Sequence, residues 1–403
     1  MTATLCLLAF GAVMVYSASS PAGVINGGGY GASEFLMYLF AAALGLVAMR
    51  LCEQYGLRWL RPELIRWMLY GSCALLLAVL LPGVGRDING ARRWFAAGPI
   101  QFQPSELAKL ALVFYAARYL ADNPRRLQRG FKPAIAPLAV AVGPACLLIA
   151  VEPDLGTTLV CFLTIVAMLV VAGVPGGHLT RIFLVAGLGV GLMLVVHPYE
   201  VARLTSFLHP FSQQSSAGWQ SAQSQMAVGS GGLSGVGLGQ SVGKAMWLPE
   251  AQTDFILAVV GEELGLVGIL VVISLYGMIA YAGLRTARRA ATRYTKLLAS
   301  GLTSLILCQG ILNIFVVLGI APLTGVPLPF ISYAPTNLLV MLTSVGVLLG
   351  IARPAARELR LVDPHEPRRT GSGADDTSAD PDRDRRDRRA RGSSAGGRRR
   401  AAG

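Results

Sequence analysis

Ten apolar runs of roughly 20 residues dominate this 403-residue chain, and they restrict its fold more than any other feature. A run of that length crosses a bilayer as a helix, which satisfies its backbone hydrogen bonds internally. Only 14% of the residues are charged, fewer than a soluble domain carries. The sequence therefore predicts an all-α, polytopic integral membrane protein with about ten transmembrane helices. The predicted spans lie near residues 3–18, 35–52, 64–81, 105–121, 134–150, 156–173, 180–196, 254–283, 297–320 and 332–352.

Clusters of Lys and Arg set the expected orientation of these spans. They occur in the loops after spans two, four and eight, and such loops lie on the cytoplasmic side of helical membrane proteins. All three loops fall on one side if both termini are cytoplasmic, which agrees with an even number of spans. The loops predicted on the outer side are residues 82–103, 151–155 and 197–253. The first of these loops contains three basic residues, Arg86, Arg92 and Arg93, although basic residues are usually found in cytoplasmic loops. Binding of an anionic substrate is one explanation.

Two regions of different composition divide the chain. Residues 1–353 hold all the spans and form the predicted membrane domain, including the long extracytoplasmic loop 197–253. Residues 354–403 carry 13 of the 35 Lys and Arg residues and are predicted to be a disordered basic cytoplasmic tail. Such a tail contacts anionic membrane lipid or is simply solvated. Because the net charge of +13 comes from this tail and from loops beside the spans, no nucleic-acid partner is expected.

The long outer loop contains a glycine-rich stretch, GSGGLSGVGLGQSVGK, from Gly229 to Lys244. A phosphate-binding loop would need GxxxxGK followed by Ser or Thr, between a strand and a helix. Ala245 follows Lys244 and no strand pattern precedes the stretch, so we expect a flexible or tightly turned loop instead.

One group of polar residues lies around the start of the fourth span. Glu106 and Lys109 are three residues apart and therefore share a helical face. They are either a structural salt bridge or, together with Arg92, Arg93 and Trp94, the lining of a polar cavity. Cationic side chains beside an aromatic ring suit a pyrophosphate joined to a sugar or lipid.

A second group lies in VEPDLGTTL, from Val151 to Leu159. Glu152 and Asp154 flank a proline at the outer end of two spans. They are either solvated carboxylates, or Asp154 begins the sixth span and directs an acid into a cavity.

The third group is in LPEAQTDFILAVVGEELGLVG, from Leu248 to Gly268, where acids in an apolar span are costly. Glu262 and Glu263 lie deep in the span and are interpreted as paired or hydrogen-bonded structural acids. Glu250 precedes the helix in an outer loop. Thr253 or Asp254 can cap the helix start, but Asp254 at the membrane interface is also the best candidate for a general base.

Five motifs in this order resemble the SEDS family (shape, elongation, division and sporulation): NGARRW, QPSELAKL, EPDLGTT, LPEAQTDFILAVVGEELGLVG and PLTGVPLPFISY. The resemblance covers residues 5–353 and leans slightly toward the division and sporulation branch. It implies ten helices, both termini cytoplasmic, and a multi-pass protein of the bacterial cytoplasmic membrane. It also implies a peptidoglycan glycosyltransferase that polymerises lipid II on the outer face. The implied partners are a class B penicillin-binding protein, a transpeptidase, and other divisome or elongasome membrane proteins.

The same resemblance implies roles for individual residues. Asp254 would deprotonate the 4-hydroxyl group of the acceptor sugar, which attacks the donor while undecaprenyl pyrophosphate leaves. The implied substrate-binding residues are Arg92, Arg93, Trp94, Glu106, Lys109, Asp154, Glu250 and Thr253. Pyrophosphate chemistry is compatible with a divalent cation, Mg²⁺ or Mn²⁺. The sequence has no cluster of metal ligands, and its six cysteines lie in or beside apolar spans without a CxxC spacing.

The chain departs from the family pattern after PFISY. Ala334-Pro335-Thr336-Asn337 stands where the family has two glycines and a small hydroxyl residue, which predicts a stiffer start to the last span. Two other functions use the same residues: a lipid II flippase, which needs the cations but no base, and a non-catalytic scaffold that recruits a transpeptidase. An essential Asp254 would separate the enzyme from both.

Overall fold

The computed structural model describes residues 1–25, 31–88, 91–97, 100–196, 201, 207, 216–241, 243–244 and 250–361. Its helices are α1 (Thr2–Ile25), α2 (Gly31–Trp59), α3 (Pro62–Leu80), α4 (Pro104–Asp122), α5 (Pro124–Arg129), α6 (Phe131–Val151), α7 (Leu155–Ala172), α8 (Gly176–Val196), α9 (Ser216–Ser230), α10 (Ile256–Arg289), α11 (Arg293–Val317) and α12 (Pro335–Leu361). All ten predicted spans fall on helices, and α5 and α9 are additional. Within the described residues, seven helices are long and apolar enough to cross a membrane. The prediction of an all-α, polytopic membrane protein is confirmed.

The last helix extends past the boundary that we placed at residue 353. Residues 354–361 continue α12, so the helix ends at Leu361. The rest of the predicted disordered tail, residues 362–403, lies outside the described residues.

Helix α11 occupies the centre of the helical bundle and packs against α10, α7 and α4. Small residues allow these helices to approach closely. A Cβ atom built on Gly283 of α10 would lie 2.1 Å from the hydroxyl oxygen of Thr303 on α11. A Cβ atom built on Gly301 of α11 would lie 2.7 Å from the sulfur of Met168 on α7. The core is therefore a close contact of helix backbones, as is common inside membranes.

A small antiparallel sheet precedes α4, and the sequence did not predict it. Its strands are β1 (Arg86–Ile88), β2 (Ala91–Ala97) and β3 (Ile100–Phe102), in the order β1-β2-β3. Arg86 pairs with Trp94 between β1 and β2, and Phe95 pairs with Phe102 between β2 and β3. Two of the strands have only three residues, too few for a periodic hydrophobic pattern.

Helix α10 is broken at Gly265, where φ is 64° and ψ is −160°. The Gly-rich loop (Gly229–Lys244) supplies partners for the backbone groups around the break. The carbonyl oxygens of Glu262 and Glu263 accept hydrogen bonds from Val236 and Gly237, each at 3.0 Å, and the Leu266 amide donates to Gly232 at 3.0 Å. A helix inside a membrane tolerates such a break only where its freed backbone groups find new partners. The Gly-rich loop is therefore tightly turned and packed against α10.

The Pro-rich segment (residues 318–334) joins α11 to α12 and has no regular secondary structure over most of its length. Side chains from three helices hold its carbonyl oxygens: Asn313 donates to Val326 at 2.8 Å, Gln309 to Pro327 at 2.9 Å, Tyr276 to Pro329 at 2.5 Å and Tyr38 to Phe330 at 2.7 Å. Buried Phe330 has φ of +69°, an unfavourable conformation that the surrounding bonds must stabilise.

Candidate active site

Glu106 and Lys109 form an ion pair in the first turns of α4, which Pro104 begins. Their charged atoms are 2.8 Å apart, and their side chains are 2% and 0% exposed. Lys109 also donates to Gln309 Oε1 of α11 at 2.8 Å. Glu106 Oε2 accepts from Asn337 Nδ2 of α12 at 2.7 Å. In this structure the pair joins three helices through protein contacts, and its binding of pyrophosphate stays a prediction.

Asn337 and its neighbours form the stretch that departs from the family pattern. Pro335 is the first residue of α12, a position where its missing N–H group costs little. The hydroxyl group of Thr336 donates to the carbonyl of Gln101, the middle residue of β3, at 3.2 Å. The substituted residues therefore begin the helix normally and connect α12 to the start of α4.

Asp254 lies two residues before the first residue of α10, and it is not at the N-cap position of that helix. The residue at the N-cap position is Phe255, whose side chain makes no capping hydrogen bond. Thr253 instead donates to the carbonyl and carboxylate oxygens of Glu250, at 3.1 and 3.0 Å. Neither Thr253 nor Asp254 therefore occupies the N-cap position that the sequence allowed for them.

The carboxylate of half-buried Asp254 faces the Pro-rich segment. Its Oδ2 atom is 3.5 Å from the position that a Cβ atom on Gly325 would take. Gly325 has φ of +67°, a conformation that favours glycine. The absence of a side chain at residue 325 keeps space beside the carboxylate, as a general base needs for a substrate hydroxyl group.

The turn between α6 and α7 contacts the same segment. A Cβ atom on Gly156 would lie 2.4 Å from the carbonyl oxygen of Thr324, next to Gly325. Asp154 caps α7 by accepting from the Thr157 amide at 3.0 Å, and its other oxygen accepts from Gln103 Nε2 at 3.3 Å. Buried Asp154 thus begins the sixth span, and the prediction that it directs an acid into a cavity stays a prediction.

Arg93 connects this turn to the sheet. Its Nε atom donates to the carbonyl of Glu152 at 2.7 Å, and its terminal nitrogen donates to the carbonyl of Pro153. Trp94 is half-buried beside it, whereas Arg92 is exposed on the same strand. Arg92 is therefore better placed than Arg93 to meet an anionic substrate.

Glu152 is a buried carboxyl group that the sequence analysis did not single out as functional. Its carboxyl oxygens have no hydrogen-bond partner within the described ranges. Burial and the nearby charge of Asp154 raise the pKa of Glu152 to about 8, against a smaller lowering effect of Arg93. This group is therefore mostly protonated at neutral pH. The only sequence signal was the pair of acids around Pro153.

Glu262 and Glu263 are structural acids, as predicted. Lys244 Nζ lies 2.7 Å from Glu263 Oε1, and Ser17 of α1 donates to both oxygens of Glu263 at 2.7 and 2.9 Å. Glu262 accepts from the hydroxyl group of Ser241 at 2.5 Å. These bonds attach the end of the Gly-rich loop to α10 and α1.

No metal site is evident in the part of the chain that the structure describes. Groups of three or more His, Cys, Asp or Glu side chains that could hold a metal ion are not found there. A divalent cation, Mg²⁺ or Mn²⁺, remains an untested expectation.

Comparison with known proteins identifies the family. The model of the cell cycle proteins FtsW, RodA and SpoVE matches residues 1–357. Stage V sporulation protein E of Bacillus subtilis (strain 168) is 39% identical over 356 residues, which cover 87% of this chain and 95% of that protein. A probable peptidoglycan glycosyltransferase FtsW of Trichlorobacter lovleyi is 38% identical over 358 residues, which cover 86% of this chain and 90% of that protein.

Solved structures agree with this assignment. A chain of a peptidoglycan synthase complex that coordinates polymerization and crosslinking matches with a TM-score of 0.67 and 28% identity, over 87% of this chain and 98% of that one. The rod shape determining protein RodA of Thermus thermophilus matches with a TM-score of 0.63 and 28% identity, over 88% of this chain and 95% of that one. The chain therefore belongs to the FtsW, RodA and SpoVE family of cell cycle proteins.

Proposed function

We propose that this peptidoglycan glycosyltransferase polymerises lipid II, with Asp254 as its general base. The observation that carries the proposal is the Asp254 carboxylate beside Gly325, where, among the described residues, a Cβ atom would have only the carboxylate oxygen within 4 Å. Family membership and the apolar helices identify the chain as a multi-pass protein of the bacterial cytoplasmic membrane. Asp254 precedes α10 on the side predicted to be extracytoplasmic, where lipid II headgroups would be available.

The proposed reaction needs one proton acceptor and one leaving group. Asp254 takes the proton of the acceptor 4-hydroxyl group while that oxygen bonds to the anomeric carbon of the donor. The bond from this carbon to the phosphate oxygen breaks, and undecaprenyl pyrophosphate leaves with the electron pair. The proton on Asp254 then passes to water, which restores the carboxylate.

Recognition of the pyrophosphate requires cations, and exposed Arg92 on β2 is the best placed of the predicted residues. Lys109 is fully buried and bound to Glu106 and Gln309. In this conformation it therefore stabilises the helices around the site and does not contact the substrate. Glu250 and Thr253 form a hydrogen bond with each other in the loop before Asp254. They would therefore determine how a substrate reaches the Asp254 carboxylate.

A transpeptidase partner completes the proposal. The peptidoglycan synthase complex that this chain resembles combines polymerization with crosslinking. We therefore propose that the chain acts together with a class B penicillin-binding protein, which crosslinks the strands that this chain makes.

The decisive experiment measures lipid II polymerisation by the purified chain with its cognate transpeptidase. Wild type is compared with Asp254→Asn. The control is Asp122→Asn, which removes an exposed carboxylate from the C-terminal end of α4, far along that helix from Glu106 and Lys109. Moenomycin, which is not expected to inhibit this family, suppresses contaminating glycosyltransferases. We expect glycan strands from wild type and from the control, but none from Asp254→Asn.

Two other outcomes would change the proposal. Polymerisation by folded Asp254→Asn at the wild-type rate would mean that Asp254 is not the base. If wild type makes no polymer but moves lipid II across proteoliposome membranes, the flippase alternative would replace the enzyme.

A further inference from the structure

The side-chain amide of Asn313 on α11 holds both backbone segments that border the Asp254 carboxylate. Its Nδ2 group donates to the carbonyl oxygen of Asp254 and to that of Val326, each at 2.8 Å. Val326 directly follows Gly325, the residue that faces the carboxylate. We propose that Asn313 is a positioning residue that fixes Asp254 against the Gly325–Val326 backbone. This inference rests on the proposed role of Asp254 as the base.

The two contacts of Asn313 require a side-chain NH₂ group that donates two hydrogen bonds. Both neighbouring atoms are carbonyl oxygens, which accept hydrogen bonds only, so the NH₂ end of the amide must face them. The Oδ1 atom of Asn313 is then buried without a hydrogen-bond partner among the described residues. An unpaired buried acceptor is unfavourable, and a leucine of similar size would avoid it. The two donors therefore account for the presence of an amide at residue 313.

The two backbone segments beside the carboxylate, at Asp254 and at Gly325–Val326, both lie outside regular helices and strands, so the hydrogen bonds of secondary structure do not fix their positions. Asp254 lies before the first residue of α10, and Gly325 and Val326 lie in the irregular Pro-rich segment. The two donors of Asn313 connect these segments directly. A backbone bond from the Tyr333 amide to the Gln252 carbonyl, at 2.9 Å, also joins the two segments, but it contacts neither Asp254 nor Gly325. Loss of the Asn313 donors would therefore let the carboxylate and the space at Gly325 shift relative to each other, and a misplacement of about 1 Å can reduce a reaction rate about 100-fold.

The chain offers a matched control for this role. Tyr276 of α10 donates through its hydroxyl group to the carbonyl of Pro329 at 2.5 Å. Tyr276→Phe removes this buried hydrogen bond to the Pro-rich segment but leaves the contacts of Asp254 unchanged. If general loosening of the segment lowers kcat, kcat should fall in Tyr276→Phe as well. If loss of alignment between Asp254 and Gly325 lowers kcat, it should fall only in the Asn313 variants.

The test compares Asn313→Val, Asn313→Thr and Tyr276→Phe in the complete complex with the transpeptidase. Val and Thr have the same shape, but only Thr keeps a donor. We expect Asn313→Val to lower kcat of lipid II polymerisation about 10- to 100-fold with KM unchanged. Asn313→Thr should recover part of the loss, and Tyr276→Phe should stay near the wild-type kcat.

Several results would overturn the inference. A wild-type kcat in Asn313→Val would do so, as would an equal loss in Tyr276→Phe or a change confined to KM. If Asn313→Val fails to fold, Asn313→Thr decides alone, because a wild-type kcat with one donor would contradict the need for two. Asp254→Ala is measured in parallel: activity in that variant refutes the proposed function, whereas an inactive Asp254→Ala beside fully active Asn313 variants refutes only this inference.

Discussion

Replacing Lys109 by methionine should destabilise the protein by about 3–5 kcal/mol, because it leaves the Glu106 carboxylate buried without its cation. The magnitude follows from the environment of the pair: the side chains are 0% and 2% exposed, and the charged atoms are 2.8 Å apart. Gln309 also loses the donor to its Oε1 atom. The free energy of unfolding can be measured by titration with a denaturing detergent, followed by circular dichroism.

Two further variants make this measurement specific. Arg118→Met removes a partner from an equally short ion pair on α4, at 2.8 Å to Asp122, but both of those side chains are well exposed. Its cost should stay below about 1 kcal/mol. The double variant Glu106→Gln/Lys109→Met leaves no buried charge at this site, so it should recover about 2 kcal/mol or more of the single-variant cost. A cost below about 1 kcal/mol for Lys109→Met alone would refute the reasoning. It would mean that Glu106 meets water, as in the substrate-accessible cavity considered from the sequence.

Two other predictions concern pH and backbone geometry. Burial and the charge of Asp154 raise the pKa of Glu152 from its ordinary value of 4.5 to about 8 in the folded protein, so the unfolded chain releases this proton first as the pH rises. Stability should therefore fall between about pH 4.5 and pH 8, by a few kcal/mol at most, and Glu152→Gln should remove this slope in unfolding measured at pH 5 and pH 8.5. An unchanged slope would contradict the burial of the acid. Gly235 and Gly239 have φ of 79° and 81°, but only at Gly235 would a Cβ atom meet a neighbour, 2.1 Å from the Glu263 carbonyl oxygen. Gly235→Ala should therefore cost about 2 kcal/mol more than Gly239→Ala, whose cost is backbone strain alone, and equal costs would argue against the contact between loop and helix.

The helices could be predicted because the bilayer leaves few alternatives. An apolar run of the right length must form a helix in lipid, and all ten such runs do. The sheet was missed for the opposite reason. Its short strands lie outside the apolar runs and are too short for a periodic pattern, and the one local signal for them is Asn89-Gly90 between β1 and β2, a dipeptide typical of hairpin turns.

The candidate site was predictable only in part. Motif and charge indicated Asp254, Asp154 and the ion pair in α4. Neither Thr253 nor Asp254 is the N-cap residue, because α10 begins one residue later than a cap at Asp254 requires, and the Thr253 hydroxyl binds Glu250 instead. Gln309 and Asn313 were not singled out, because amides within an apolar helix give no signal until a distant segment packs against them.

The Gly-rich loop illustrates a further limit of sequence reasoning. Its composition indicated a turn or a flexible linker, and both were consistent with the glycines. Its partner is the break at Gly265, which the sequence conceals inside an otherwise continuous apolar run. The backbone contact between the loop and this break shows that the loop is a tight turn and not a flexible linker. Neither the loop sequence nor the helix sequence predicts this contact alone.

The anchoring of the Pro-rich segment has a consequence for protein engineering. Pro322, Pro327 and Pro329 have no N–H group to donate, and side chains of α2, α10 and α11 donate to the segment's carbonyl oxygens. The shape of the segment is thus encoded largely by residues outside it. A transplant of residues 318–334 into another scaffold would lose that shape unless Tyr38, Tyr276, Gln309 and Asn313 were transferred with it.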